Sequence, residues 1–444
     1  MRPSRNTPLR AVAATLVLLA LAPFARADGG EGPLALTEER CVALALEQAS
    51  PVRRARLRAA QADALRAQAI GLALPDLSFK GTYTRFGEVP ESEIFGQRFK
   101  LSPDEQGTLA VTAEQWLFSG SVGAGLRGSE QMQEGAAHQL RAARLAADAV
   151  ARIRFYQALY AREAIAVFEA ARGRIADLLD ATGKRQGVGL ATRYDVMRVK
   201  TSLAAADAAL LEARNAHTAA VMALVDQIGA DPTRPVTLDG ALTFAPLAPD
   251  EATAIEAALT RRGEVAAAKE NVAMADAWVD QARSGLMPSV KAFGGYHWNE
   301  QKGGIQAQEG WIRDWNAGIS VELSLFDGFE KSSVVKQKIV DRDLARIDYE
   351  DLRRQAVIEA RQAVDELRHA ESFVQSQEAN VALADESWRI ARQRYDLGLL
   401  TQIELLDAEV ALTRATIDHR RALALHMTAR QRLRIATGDE LKYE

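Results

Sequence analysis

From Asn316 to Leu325 polar and apolar residues alternate without a break. Ala317, Ile319, Val321, Leu323 and Leu325 fall on one face, and Asn316, Gly318, Ser320, Glu322 and Ser324 on the other. A period of two predicts a strand over about 315–326 with one apolar and one wet face. Weaker copies of the pattern predict strands over about 77–86, 108–118 and 289–298. In the second, Leu109, Val111, Ala113 and Leu117 oppose Thr108, Thr112 and Glu114. Phe79 and Tyr83 mark one face of the first; Val290, Ala292, Tyr296 and Trp298 mark one face of the third. Polar connectors, 87–107 and 299–314, join the strands of each pair. Helical stretches (about 38–72 and 250–286) precede the pairs, and very long helical runs, about 121–186 and 330–395, follow them. Each long run would extend ~100 Å as a single helix. In the second, Leu367, Val374, Val381, Trp388 and Tyr395 recur every seven residues, the spacing of a coiled-coil seam.

The plan is written twice. "LPDLSFKGTY" (74–83) returns as "MPSVKAFGGY" (287–296), "VTAEQWLFSG" (111–120) as "ISVELSLFDG" (319–328), and "GLATRYDV" (189–196) as "GLLTQIEL" (398–405). Three matches in one order, all offset by about 210 residues, indicate a duplicated unit. The first unit covers 28–231 and ends in a helical hairpin over about 121–229. The second covers 250–438 and ends in a hairpin over about 330–437. The segment 232–249, with Pro232, Pro235, Pro246 and Pro249, joins them, and 439–444 is a short tail.

One motif points elsewhere. The strand ending in Phe118 is followed by Gly123-x-Gly125-x-x-Gly128, with Asp148 twenty residues further on, the spacing of a dinucleotide fingerprint. The second unit reads "LFDGFEKSSVVK" against "LFSGSVGAGLRG", keeping the glycine that matches Gly120 and losing the three of the fingerprint. A phosphate cradle also requires another parallel strand soon after the helix, whereas an uninterrupted helical run follows here. The glycines instead suit a crowded turn from strand to helix.

Composition narrows the setting. Arg2, Arg5 and Arg10, an apolar run from Ala11 to Ala22 and the small-x-small triplet Ala25-Arg26-Ala27 have the order of a secretory signal over 1–27. Its removal takes four arginines and no acid, so the formal charge moves from -4 to -8, which gives no electrostatic reason to bind nucleic acid. The one cysteine, Cys41, cannot form an internal disulfide and reads as a packed helix position. The six histidines form no tight ligand set, and no nucleophile, P-loop or zinc motif is present. Neither enzyme, cofactor nor metal is expected. No later apolar run is long enough for a membrane helix, so the protein could enter a membrane only as a barrel or by lying on its surface. Four strands cannot close a barrel, which makes oligomerisation necessary for one.

Taken together, the leader, the doubled strand–strand–long-helix unit, "LFDG" at the strand end and "GLxT" at the helix tip resemble the TolC-like outer-membrane efflux family. The resemblance runs over about 36–438. It implies a mainly α fold with a small β part, in which a homotrimer forms a twelve-stranded outer-membrane β-barrel continued by a periplasmic α-helical barrel. It also implies a passive exit duct of a tripartite efflux or type I secretion system. Its partners would be a periplasmic adaptor (membrane fusion) protein, an inner-membrane pump and outer-membrane lipid, with connectors 87–107 and 299–314 outside the cell. The rival reading is a periplasmic coiled-coil adaptor or scaffold without a membrane barrel. The alternating strands argue against it, since an adaptor needs no lipid-facing sheet.

The helix tips hold the candidate site residues. Gly189 and Gly398 suit the left-handed residue that ends a helix. Thr192 and Thr401 suit N-caps of the returning helices, with Asp195 and Glu404 three residues on, the latter a capping-box pattern. A tight hairpin accounts for all of these. The resemblance adds adaptor docking at Gly189, Leu190, Thr192, Gly398, Leu399 and Thr401. It also makes Glu404 and Asp407, three apart on one helix face, the acidic pair of a periplasmic aperture, and matches Tyr395 to a gate tyrosine. Leu400 stands where the best-known members carry a gate arginine.

Overall fold

The computed structural model describes residues 34–94, 97–304 and 310–438. The leader and the tail lie outside them. In chain order the elements are β1 (Leu34–Leu36), α1 (Glu38–Gln48), α2 (Ser50–Ala73), β2 (Asp76–Arg85), β3 (Glu91–Ile94), β4 (Gln97–Lys100), β5 (Glu105–Phe118), α3 (Gly120–Gly187), α4 (Arg193–Ile228), β6 (Val236–Leu238), α5 (Glu251–Arg261), α6 (Gly263–Ser284), β7 (Ser289–Lys302), β8 (Ile312–Glu322), α7 (Glu330–Asp396) and α8 (Gln402–Thr437). The long helices α3 and α7, of 68 and 67 residues, run unbroken as their periodicity predicts.

The expected four-strand sheet forms, antiparallel throughout, in the order β2-β5-β7-β8. Its register aligns Phe79, Val111, Tyr296 and Trp315 in one row and Ser78, Thr112, Gly295 and Asn316 in the next, so one face is apolar and the other wet. On the wet face Ser78 and Thr112 share a hydrogen bond of 2.7 Å, and Lys291 pairs with Glu114 at 2.7 Å. Three details differ from the sequence reading. The last strand stops at Glu322, so Leu323 and Leu325 continue the alternation beyond it. The register shifts between Trp116 and Phe118, so Phe118 pairs with Val290 and Leu117, assigned to the apolar face, is the extra residue of a bulge. The connectors are shorter than expected because β5 starts at Glu105 and β7 runs to Lys302; the first carries the hairpin β3–β4.

Each strand runs on into a wall helix. α2 leads into β2, β5 into α3, α6 into β7 and β8 into α7, and the helices next to the sheet keep the strand order as α2-α3-α6-α7. Farther from the sheet the hairpins' returning helices take over, giving α4-α3-α8-α7. Among the described residues the sheet and the wall helices therefore end in two edges: β2, α2 and α4 on one side, β8 and α7 on the other.

The helical stretches 38–72 and 250–286 are each split in two. Ala49 turns the chain at ψ 130°, with Pro51 in the first turn of α2, where its missing N–H costs nothing. Arg262, at ψ 121°, does the same between α5 and α6. The segment 232–249 is more than a linker. Its β6 pairs in parallel with β1, and Leu242 is buried with Leu36, Cys41, Phe155, Leu159 and Leu224 in the main core, forming a strap of packed side chains around the middle of the wall. Crowding at the glycine run is confined to Gly120, where an added Cβ would stand 2.6 Å from Ser284 Cβ; Gly123 faces open space.

Candidate docking and aperture site at the helix tips

The far ends of the two hairpins are built alike. Helix α3 ends with Gly189 at φ +80°, Gly189 N–H donating to Gln186 O (3.0 Å) and Leu190 N–H to Arg185 O (2.8 Å). α7 ends with Gly398 at φ +76°, Gly398 N–H donating to Tyr395 O (3.0 Å) and Leu399 N–H to Arg394 O (2.8 Å). Both are the paired bonds that close a helix around a left-handed residue. The returning helices open with reciprocal boxes. Thr192 Oγ1 accepts from Asp195 N–H while the Asp195 carboxylate accepts from Thr192 N–H at 2.8 Å. Thr401 and Glu404 repeat this, with Thr401 N–H to Glu404 at 2.9 Å. The box at Asp195 extends the reading, which gave the pattern to Glu404 only. These hydrogen bonds from the threonines hold both carboxyls below their usual range.

What the tips expose is apolar. Leu190 is 78 % and Leu399 74 % exposed, flanked by Val188 and Leu397, while each backbone turn is locked. Glu404 and Asp407 are both exposed on the same face of α8. Tyr395 does not join them. It is buried in the tip core with Ile175, Leu178, Val199, Leu405 and Leu406, and its hydroxyl lies 3.3 Å from Thr182 Oγ1. Leu400 packs at the margin of that core, which explains why an apolar residue stands there.

Two groups at the tips carry no signal in the sequence. Arg185, on α3, lies over the Tyr395 ring at 4.5 Å and donates to the carbonyls of Tyr395 (3.0 Å) and Asp396 (3.1 Å), tying one tip to the other. Gln402 donates to Asp195 O at 3.0 Å and completes the link. Farther in, Glu409 is 4 % exposed and is held by Arg174 at 2.8 Å, with Thr413 as a further donor. Nothing in local spacing marks partners that lie more than 200 positions apart.

An open antiparallel sheet whose strands continue in register order into a two-hairpin helical wall is the fold of outer-membrane channel protomers. It matches the outer-membrane channel OprN with a TM-score of 0.77 at 20 % identity, covering 90 % of this chain and 89 % of that one. It matches the CmeC channel of Campylobacter jejuni with a TM-score of 0.76 at 17 % identity, covering 98 % and 94 %. Residues 42–230 and 254–439 match the outer membrane efflux protein family, and the chain belongs to it. Among relatives, protein CyaE of Bordetella pertussis is 28 % identical over 314 residues, 68 % of this chain and 64 % of that protein. Alkaline protease secretion protein AprF of Pseudomonas aeruginosa is 24 % identical over 261 residues, 58 % of this chain and 54 % of its own length. The chain thus aligns with rather less than two thirds of these relatives.

Proposed function

We infer that the protein is a passive exit duct of the outer membrane, serving a tripartite efflux or type I secretion system. Three copies close a twelve-stranded barrel whose apolar face meets lipid, and their helices form a periplasmic tube beneath it. The observation that carries this reading is the pair of free edges. β2 and β8 leave unpaired backbone groups that lipid cannot satisfy, so the sheet must close on further copies. The helical edges are prepared for the same closure. On α4, Tyr194, Met197, Ala204, Ala208, Leu211 and Met222 follow one three–four spacing and are all exposed. On α7 and its C-cap, Leu383, Ile390 and Leu397 recur every seven residues and are likewise exposed. Such seams seat knobs into the holes of a facing helix.

At the far end, the exposed leucines Leu190 and Leu399 on locked turns, with Gly189, Thr192, Gly398 and Thr401 shaping them, dock the periplasmic adaptor. Three copies of Glu404 and Asp407 ring the narrow point and favour cations. Tyr395, buried against Thr182 and Arg185, supports the aperture from behind. Mass measurement of the detergent-extracted protein tests the assembly: three chains per particle are expected, and a folded monomer, or recovery in the soluble periplasm as the adaptor reading requires, refutes the duct.

A further inference from the structure

Midway along the wall, away from the sheet and the tips, lies a cavity of about 830 Å³ bounded by α1, the start of α2, α3, the strap at Thr243 and the last turns of α8. Its wall carries Arg56, Arg144, Arg152, Arg430 and Arg434 against only two carboxylates, Glu38 and Asp148. Both acids are already engaged. Asp148 accepts from Arg152 Nε at 2.8 Å and from Arg434 Nη2 at 2.7 Å, and Glu38 accepts from Arg152 and, at 2.9 Å, from the Tyr156 hydroxyl. Arg152 and Arg434 are thereby fixed in the floor, and Arg434 Nε is buried with no acceptor. Arg56 and Arg144 are exposed and Arg430 half-buried, and the three pair with no carboxylate among the described residues. Val42, Leu46, Leu145 and Met427 form an apolar side of the same cavity.

We propose that this cavity is a binding site for an oxyanion, a phosphate or carboxylate, carried on a short apolar body. The excess of three guanidinium charges in a partly enclosed space focuses a positive potential, and the planar forks suit both oxyanions. The network on Asp148 and Glu38 pre-orients two of the five arginines, which lowers the ordering cost of binding. The apolar side accounts for a preference for an amphiphile over a bare ion. The site shares no residue with the tips; Arg56 stands on α2, one of the wall's edge helices, so binding is measured on the intact protein.

Calorimetric titration of the intact detergent-solubilised protein at constant ionic strength tests it, with inorganic phosphate, hexyl phosphate and hexanoate as probes. Saturable binding at one site per chain is expected for hexyl phosphate, about 15- to 60-fold tighter than inorganic phosphate as two or three methylenes are buried. Tighter binding of hexanoate than of hexyl phosphate would assign the site to carboxylates, and the reverse to phosphates. Arg144→Gln/Arg430→Gln, which leaves the Asp148 network intact, should weaken binding at least about tenfold through lost charge-assisted hydrogen bonds. Arg53→Gln, exposed on α2 outside the cavity, should bind as the parent does. Absence of saturable binding, or equal binding by the double variant, overturns the proposal.

Discussion

The tip glycines permit a test that separates backbone strain from contact. Gly398 sits at φ +76°, and a Cβ built there meets nothing within 4 Å. Gly398→Ala therefore adds no clash and removes no contact; its whole cost is that of holding an L-residue in the left-handed region, ~1–2 kcal/mol. That cost is local, because the two bonds it strains, Gly398 N–H to Tyr395 O and Leu399 N–H to Arg394 O, close only the end of α7. The tip should open about 5- to 30-fold more often, by the usual conversion of free energy to population. Limited trypsin cleavage after Arg394 reads that opening when reclosing is fast. Cleavage after Arg193 in the untouched first tip is the internal control, since Gly189 makes the same turn at φ +80°, whereas Arg185 is held by the Tyr395 and Asp396 carbonyls and would be released with the second tip. Gly398→Asn should cost less, as asparagine tolerates this region, and Gly398→Pro should open the tip outright, since it fixes φ near -65° and deletes the N–H. Leu399→Asp, at a site 74 % exposed, should leave cleavage unchanged while abolishing export. Equal cleavage of Gly398→Ala and parent would refute the reasoning, because no other consequence of the substitution is available in this geometry.

Other outcomes are expected. Arg174→Met leaves the buried Glu409 carboxylate without its partner and should lower unfolding stability by about 3–5 kcal/mol in chemical denaturation, with the addition of Glu409→Gln recovering a large part. Glu404→Ala/Asp407→Ala should weaken cation selectivity and multivalent block in planar-bilayer currents; unchanged currents would remove the aperture from these residues. Because the folded Glu404 carboxyl is held below its usual range, the capping box contributes its stability above that range and loses it as pH falls through it. Acidification should accordingly raise cleavage at the second tip in the parent more than in Glu404→Ala. Burial, reinforced by Glu38 and Glu39, pushes the Cys41 thiol up to about 12, so maleimide should label it at pH 8 only after denaturation.

The sequence by itself determined what depends on near neighbours. Period two wrote the strands, period seven wrote the seam through Leu367, Val374 and Tyr395, and these three are buried against α8 or the tip core as that spacing requires. The turn glycines and cap threonines were legible for the same reason: φ > 0 and an orphan N–H are local demands that few residue types can meet. The duplication and the family resemblance supplied the order of the parts. Tertiary structure alone decided which side chains meet across the wall. Arg174 with Glu409, Arg185 on the carbonyls behind Tyr395, and Asp148 between Arg152 and Arg434 join residues as much as 286 positions apart. A charged residue on a helix face has the same local signature whether it ends in water, in a buried pair or in a basic cavity, because its partner is chosen by packing and not by spacing. For the same reason Leu400, a departure from the family's pattern when read in the sequence, proved to pack at the margin of the tip core, which accounts for an apolar residue there.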